Sequence, residues 1–97
     1  MCGALLSDFG ADVVKIERPG QGDMLRVLSA RASDGVGAWW KTLARNKRLM
    51  ALDWKSEDGR AILRRLVENA HVLIENFRPG VLERAGLAPE VLHEWNP

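Results

Sequence analysis

The sequence holds a single cysteine, Cys2, so no disulfide can form within the chain, and a reducing, cytoplasmic-type compartment is the default expectation. No apolar run approaches the roughly 20 residues that span a bilayer, so no transmembrane helix and no membrane partner are expected. The opening stretch MCGALLSDFGADVVKIE lacks the basic, apolar and small-residue zones of a signal peptide, and nothing in it argues for export. An excess of one charge is missing as well. Lys and Arg total 14 against 13 Asp and Glu, and a formal charge of +1 gives no general attraction for nucleic acid, so any anion site must be local. Internal repeats, low-complexity tracts and an evident linker are likewise absent.

What the sequence does have is a composition of 46% apolar and 28% charged residues over 97 positions, which fits one small globular domain burying about two-thirds of its unfolded surface. Along the chain, Leu5, Leu6 and Phe9 stand at helical spacing, and Gly10 can adopt the left-handed conformation that ends a helix. Asp12 to Glu17 carries β-branched residues and runs into Pro19-Gly20, which predicts a strand and a turn. Residues 21 to 38 lose the pattern and predict a surface excursion. Trp39, Trp40 and Leu43 then form an apolar face ahead of Arg45, Lys47 and Arg48, and Leu49 to Asp53 predicts a second strand.

Ser56 is a good N-cap, Glu57 and Asp58 suit the positive end of a helix dipole, and Ile62, Leu63, Leu66, Val67 and Ala70 trace one stripe. The nearly continuous apolar run Val72 to Glu75 predicts a third strand, parallel and covered on both faces. Short helices follow at Val81 to Ala85, stopped by Gly86, and at Pro89 to Trp95. This alternation predicts an α/β fold, a doubly wound parallel sheet with helices on both faces. The sheet is expected to be incomplete. The chain opens inside a helix and closes at Asn96-Pro97 where another strand would follow, so residues 1 to 97 read as part of one larger domain, with no second domain.

In open parallel sheets ligands bind beyond the carboxyl ends of the strands, because loop amides and side chains converge there. Three segments occupy such positions: Glu17 to Gly20, Leu52 to Lys55, and Glu75 to Gly80. Together they offer guanidinium and ammonium groups for phosphate, an amide, and indole and phenyl rings, a mixture that suits a nucleotide. The plainer reading is that Arg18 and Arg78 pair with carboxylates, Asn76 shapes a turn and Phe77 is core. Other signals are weaker. Gly20-x-Gly22 lacks the third glycine and adjoining helix of a dinucleotide fingerprint. His71 and His93 have no metal-ligand spacing, so no metal is expected. Cys2 has no base partner, and Lys41 to Arg48 reads as an amphipathic helix rather than a nucleic-acid surface.

The blocks DFGADVVKIERPGQGDMLR, NKRLMALDWKSEDGR, VLIENFRPGVLERAGL and LHEWNP resemble, in order and over essentially all of the chain, those of the class III CoA-transferases. That group includes formyl-CoA transferase and carnitine CoA-transferase, with alpha-methylacyl-CoA racemase as a relative. The resemblance implies a Rossmann-like domain, of which these residues are an N-terminal, CoA-binding portion, and an interlocked homodimer in the full-length protein. It implies coenzyme A or acyl-CoA as substrate and a carboxylic acid as acceptor, with CoA moved through an aspartyl anhydride and an enzyme thioester. Residue by residue, it assigns CoA contacts to Arg18, to Leu52, Asp53, Trp54 and Lys55, to Asn76, Phe77 and Arg78, and to Arg84. The nucleophilic aspartate is expected beyond Pro97, so Asp8, Asp12, Asp23 and Asp53 are not nominated and the 97 residues alone should not catalyse. Two alternatives stand beside the transferase: a racemase or epimerase of the same family, and a non-catalytic nucleotide-binding or interaction module. The long stretch between Gly22-Asp23 and Asn46-Lys47-Arg48 favours the transferase over the racemase.

Overall fold

The computed structural model describes residues 1–97, which form two compact units, Met1–Leu52 and Asp53–Pro97. The first unit contains α1 (Cys2–Asp8), β1 (Val13–Glu17), a 3-10 turn (Met24–Arg26), α2 (Ala38–Ala44) and β2 (Lys47–Ala51). β1 and β2 make a two-stranded parallel sheet in the register Val13↔Lys47 to Glu17↔Ala51. One further bond, from Leu52 N to Glu17 O at 3.0 Å, continues the ladder past β2. The parallel pairing requires a crossover, and α2 supplies it, as the α/β pattern predicts.

α1 packs through its smallest residues. Ala4 and Ser7 are buried, while Leu5, Leu6 and Phe9 are exposed. A Cβ added to Gly3 would meet Lys47 Cε at 3.5 Å and Val13 Cγ1 at 3.8 Å, which sets the small-residue face against the first pairs of the ribbon. Ser7 Oγ donates to Ala4 O at 2.9 Å and to Arg45 O at 3.3 Å, so its hydroxyl is not stranded by burial. The expected apolar face of α1 is therefore displaced, because close approach of helix to strand favours small side chains over large ones.

Gly10 takes φ +94°, ending α1 as its position predicts. Asn46, at φ +58°, does the equivalent work between α2 and β2, and its Nδ2 donates to Asp8 Oδ1 at 3.1 Å. The turn at Asn46 starts β2 at once, which is why the strand lies two residues earlier than the run Leu49 to Asp53 suggests. The excursion between the strands is ordered by its own bonds: Gly37 N to Arg26 O at 2.7 Å, Ala38 N to Ala30 O at 3.0 Å, and an antiparallel bridge between Arg31 and Gly37.

In the second unit, α3 (Glu57–Val67) starts as its sequence specifies. Ser56 is the N-cap, its Oγ accepting from Gly59 N at 3.1 Å and donating to Asp53 O at 2.8 Å. Gly59, Leu63 and Val67 are buried, whereas Ile62 is exposed. The short helices α4 (Val81–Arg84) and α5 (Pro89–Trp95) follow, separated by Gly86 at φ +71° and by Leu87, which is only 2% exposed. Asn96 ties the end of the unit back to α3. Its Nδ2 donates to Val67 O and Ala70 O, both at 2.8 Å, satisfying carbonyls at the end of α3.

The third strand does not form. Val72 to Glu75 belongs to no ladder, and Val72, Leu73 and Ile74 are 65%, 43% and 49% exposed. A parallel strand owes its burial to helices on both faces and its backbone satisfaction to neighbours. The apolar run supplies the side chains for that arrangement but not the partners.

Candidate nucleotide-binding site

At the end of β1 the chain turns sharply. Gly22 N donates to Arg18 O and Gln21 N to Pro19 O, both at 2.9 Å, with Gly20 at φ +78° and Gly22 at φ +68°. The turn borders an open cleft of about 300 Å³ lined by Arg18, Gly20, Gln21 and Arg26 on one side and by Leu49 and Met50 of β2 on the other. Arg18 is exposed, its Nη1 donating to Gln21 Oε1 at 3.2 Å. Leu52 is 8% exposed and serves as core of this unit.

Beneath the turn lies a charged cluster that the sequence pattern did not reveal. Glu17 is buried, and its carboxylate accepts from Arg26 Nε at 3.0 Å, Arg26 Nη2 at 2.9 Å, Trp40 Nε1 at 3.0 Å and Asp23 N at 3.3 Å. The Arg26 guanidinium lies 3.7 Å from the centre of the Trp40 ring. Asp23 caps the 3-10 turn, accepting from Leu25 N at 2.8 Å, and pairs with Lys15. Burial works against the charged form of Asp23, but the hydrogen bonds from Lys15 and Leu25, with the charges of Lys15 and Arg26, hold its carboxyl below the usual carboxylate value. Separations of nine and twenty-three residues from Glu17 to Arg26 and Trp40 match no helix or strand period. A carboxylate closing a β-branched strand was the one available signal.

The second unit gathers the remaining candidates. Asp53 forms a turn, its Oδ1 accepting from Lys55 N at 3.2 Å, and this orients the two residues that follow. The rings of Trp54 and Phe77 stand 5.7 Å apart at 48°, and Lys55 Nζ lies 5.5 Å from the centre of the Trp54 ring. Phe77 is 50% exposed rather than core, and its N–H donates to Glu75 Oε2 at 2.8 Å. Asn76 and Arg78 are exposed beside it. At Pro79-Gly80 the chain turns again, with Gly80 at φ +83°, and Arg84 folds back over this glycine: a Cβ there would stand 2.7 Å from Arg84 Nη1.

The fold thus brings Trp54, Lys55 and Phe77 together and sets Arg84 over the turn that follows Asn76 to Arg78. Arg18 and Leu52 belong to the other unit. Phe77 and Arg78 also border an apolar cleft of about 430 Å³ that Leu82, Leu87, Leu92 and both histidines line. The chemistry on offer in this unit is a pair of ring faces, an ammonium, an amide and two guanidiniums, a donor set that fits a nucleotide with phosphates.

The model of CoA-transferase family III matches residues 1–97. The chain belongs to that family. It is 47% identical over 96 residues to a succinyl-CoA–D-citramalate CoA-transferase of Chloroflexus aurantiacus, covering 99% of this chain and 24% of the relative. A formyl-CoA:oxalate CoA-transferase of Afipia carboxidovorans is 41% identical, with 99% and 23% covered. Among solved structures, a CAIB/BAIF family protein from Brucella suis superposes with a TM-score of 0.86 at 40% identity, over 98% of this chain and 26% of that one. A Mycobacterium tuberculosis protein in an orthorhombic crystal form gives 0.85 at 34% identity, over 98% and 27%. The family member described here therefore spans about a quarter of the length of the curated relatives it matches.

Proposed function

We propose that these residues form the coenzyme A-binding portion of an acyl-CoA:carboxylate CoA-transferase acting as a homodimer. The observation that carries this reading is the grouping of Trp54, Phe77 and Lys55 with Arg84 folded over Gly80. Ring faces accept an adenine or a pantetheine arm, and cations placed beside them meet phosphates. Asp53 to Lys55 line the same ligand, while Arg18, exposed at the end of β1 in the first unit, is a separate cation available to a phosphate. The names of the relatives favour transfer between acids over racemisation.

CoA supplies the thiol that carries the acyl group; the chain's own residues bind and orient its nucleotide end. Four of the aspartates are engaged in ion pairs and a fifth in a turn. Asp8 is held by Arg45, Asp12 by Arg48, Asp23 by Lys15 and Asp34 by Lys41, and Asp53 is engaged in its turn. The family resemblance, not the state of these side chains, is what puts the nucleophilic aspartate outside these residues.

Calorimetric titration of the chain with CoA tests the reading. Arg84→Gln removes a charge-assisted contact and should weaken binding by about tenfold to a hundredfold, and Phe77→Ala should weaken it by a similar factor. Affinity for CoA indifferent to both substitutions would defeat the assignment.

A further inference from the structure

Glu17 is adjacent in sequence to Arg18, yet the two side chains have opposite fates. Arg18 is exposed at the rim of the cleft, while the Glu17 side chain is only 6% exposed and spends both carboxylate oxygens inside the unit. Burying a carboxylate is costly unless it is fully paired, and a carboxylate that serves only to stabilise could be replaced by an apolar residue with little loss. Its placement points to a more particular task. Oε2 accepts from the Asp23 amide at 3.3 Å and from both Arg26 nitrogens, so it closes the loop running from residue 17 to residue 23 at its neck. Oε1 accepts from Trp40 Nε1 at 3.0 Å, tying the same neck to α2, and the Glu17 carbonyl accepts from Leu52 N at the end of β2. A Cβ on Gly22 would stand 2.9 Å from Glu17 Oε2 and 2.7 Å from Arg26 Nε, so the pair fills the floor of the turn.

Arg26 is thereby committed: its charge is matched by Glu17 and its face is laid on Trp40. Arg18 remains as the guanidinium at the mouth of that loop. We propose that Glu17 is a positioning residue for ligand binding, its buried carboxylate closing the 17–23 loop and so presenting the Arg18 guanidinium to the phosphate of an incoming nucleotide. This inference rests on the CoA reading given above.

The test uses the 97-residue chain with Glu17→Gln, Arg18→Gln and the double variant, measured by CoA titration, by amide hydrogen exchange and by the indole resonance of Trp40. Glu17→Gln should weaken CoA binding by about tenfold, and the double variant should bind no more weakly than Arg18→Gln alone, because Glu17 acts through Arg18. Exchange at Gly22, Asp23 and Leu25 should rise at least about tenfold while the β1–β2 ladder keeps its protection, and the Trp40 indole resonance should shift. Trp40→Phe, which removes one bond and spares the ion pair, should loosen the same amides to a smaller degree. Losses in CoA affinity that multiply in the double variant, or exchange that is unchanged or rises uniformly, would overturn the proposal. A parent chain that takes up no CoA would remove the reading beneath it, while a local rise in exchange would still uphold the closure of the 17–23 loop by Glu17.

Discussion

The two units solve the same problem with different materials. Five of the six ion pairs lie in Met1–Leu52, whose buried residues include a carboxylate and a hydroxyl, whereas Asp53–Pro97 relies on Leu63, Val67 and Leu87 with side-chain caps at both ends of α3. The difference shows in which cations are left without a carboxylate. Five cations of the first unit are engaged by carboxylates, leaving Arg18, Arg31 and Lys47, while Lys55, Arg78 and Arg84 of the second are exposed, Lys55 beside the Trp54 ring. A unit wired by charge spends its polar groups on one another; a unit held by a small apolar centre leaves more of them at the surface.

That contrast can be broken most forcefully at Leu87. Leu87→Ala should cost about 2–5 kcal/mol, read from a urea melt followed at α3 amides, and loss of protection confined to the second unit would sharpen the contrast. Simultaneous loss in β1 would break it. Gly59→Ala comes next, and here the sign is informative. Helix propensity alone predicts a gain of about 1 kcal/mol, but the added Cβ would stand 1.9 Å from Asp53 O, so a loss of about 1–3 kcal/mol is expected in the same melt. Ser56→Ala removes the cap from Gly59 N and should cost about 1 kcal/mol, visible as fraying of the first turn of α3.

Acid should act on the first unit. Asp8, held down chiefly by its bond from Arg45, Asp34, held down chiefly by its bond from Lys41, and Asp23, where burial is outweighed by Lys15 and Leu25, all have folded-state values below the usual one. A depressed carboxylate contributes stability above its unfolded value of about 3.9 and loses it as pH falls through the lower folded value. Amide shifts in β1 should therefore begin to move below about pH 4, with the Asp23 contribution the least weakened by salt because it is the least exposed of the three. The smallest effect is expected at the outer edge of the ribbon. Arg48 and Asp12 are 70% and 71% exposed, and Asp12→Asn should change stability by no more than about 0.5 kcal/mol in a thermal melt.

How much of this could be read from residues alone follows the range of the interactions. α3 and its cap, the turn at Gly10, the stop at Gly86 and α5 with Pro89 at its start depend on neighbours within a few positions, and all were legible. The parallel pairing of β1 with β2 followed from the alternation of elements. The burial of α1 was misjudged because Leu5, Leu6 and Phe9 advertise a face that Gly3, Ala4 and Ser7 occupy, a choice made by the distance to Lys47 and Val13. Val72 to Ile74 look covered in the sequence but are not, because hydropathy reports what a residue prefers and not whether a neighbour is there to satisfy it. The candidate ligand residues were legible by resemblance, and Trp54 against Phe77 gives two of them a shared place. Glu17 with Arg26 and Trp40 was not, since no local period joins partners so far apart in the chain.

The amide of Asn96 works as a clasp across a long interval of chain, gripping carbonyls that were laid down more than twenty residues earlier. Asn96→Ala would therefore be felt at a distance, as two carbonyls released at the tail of α3 beside the buried Val67.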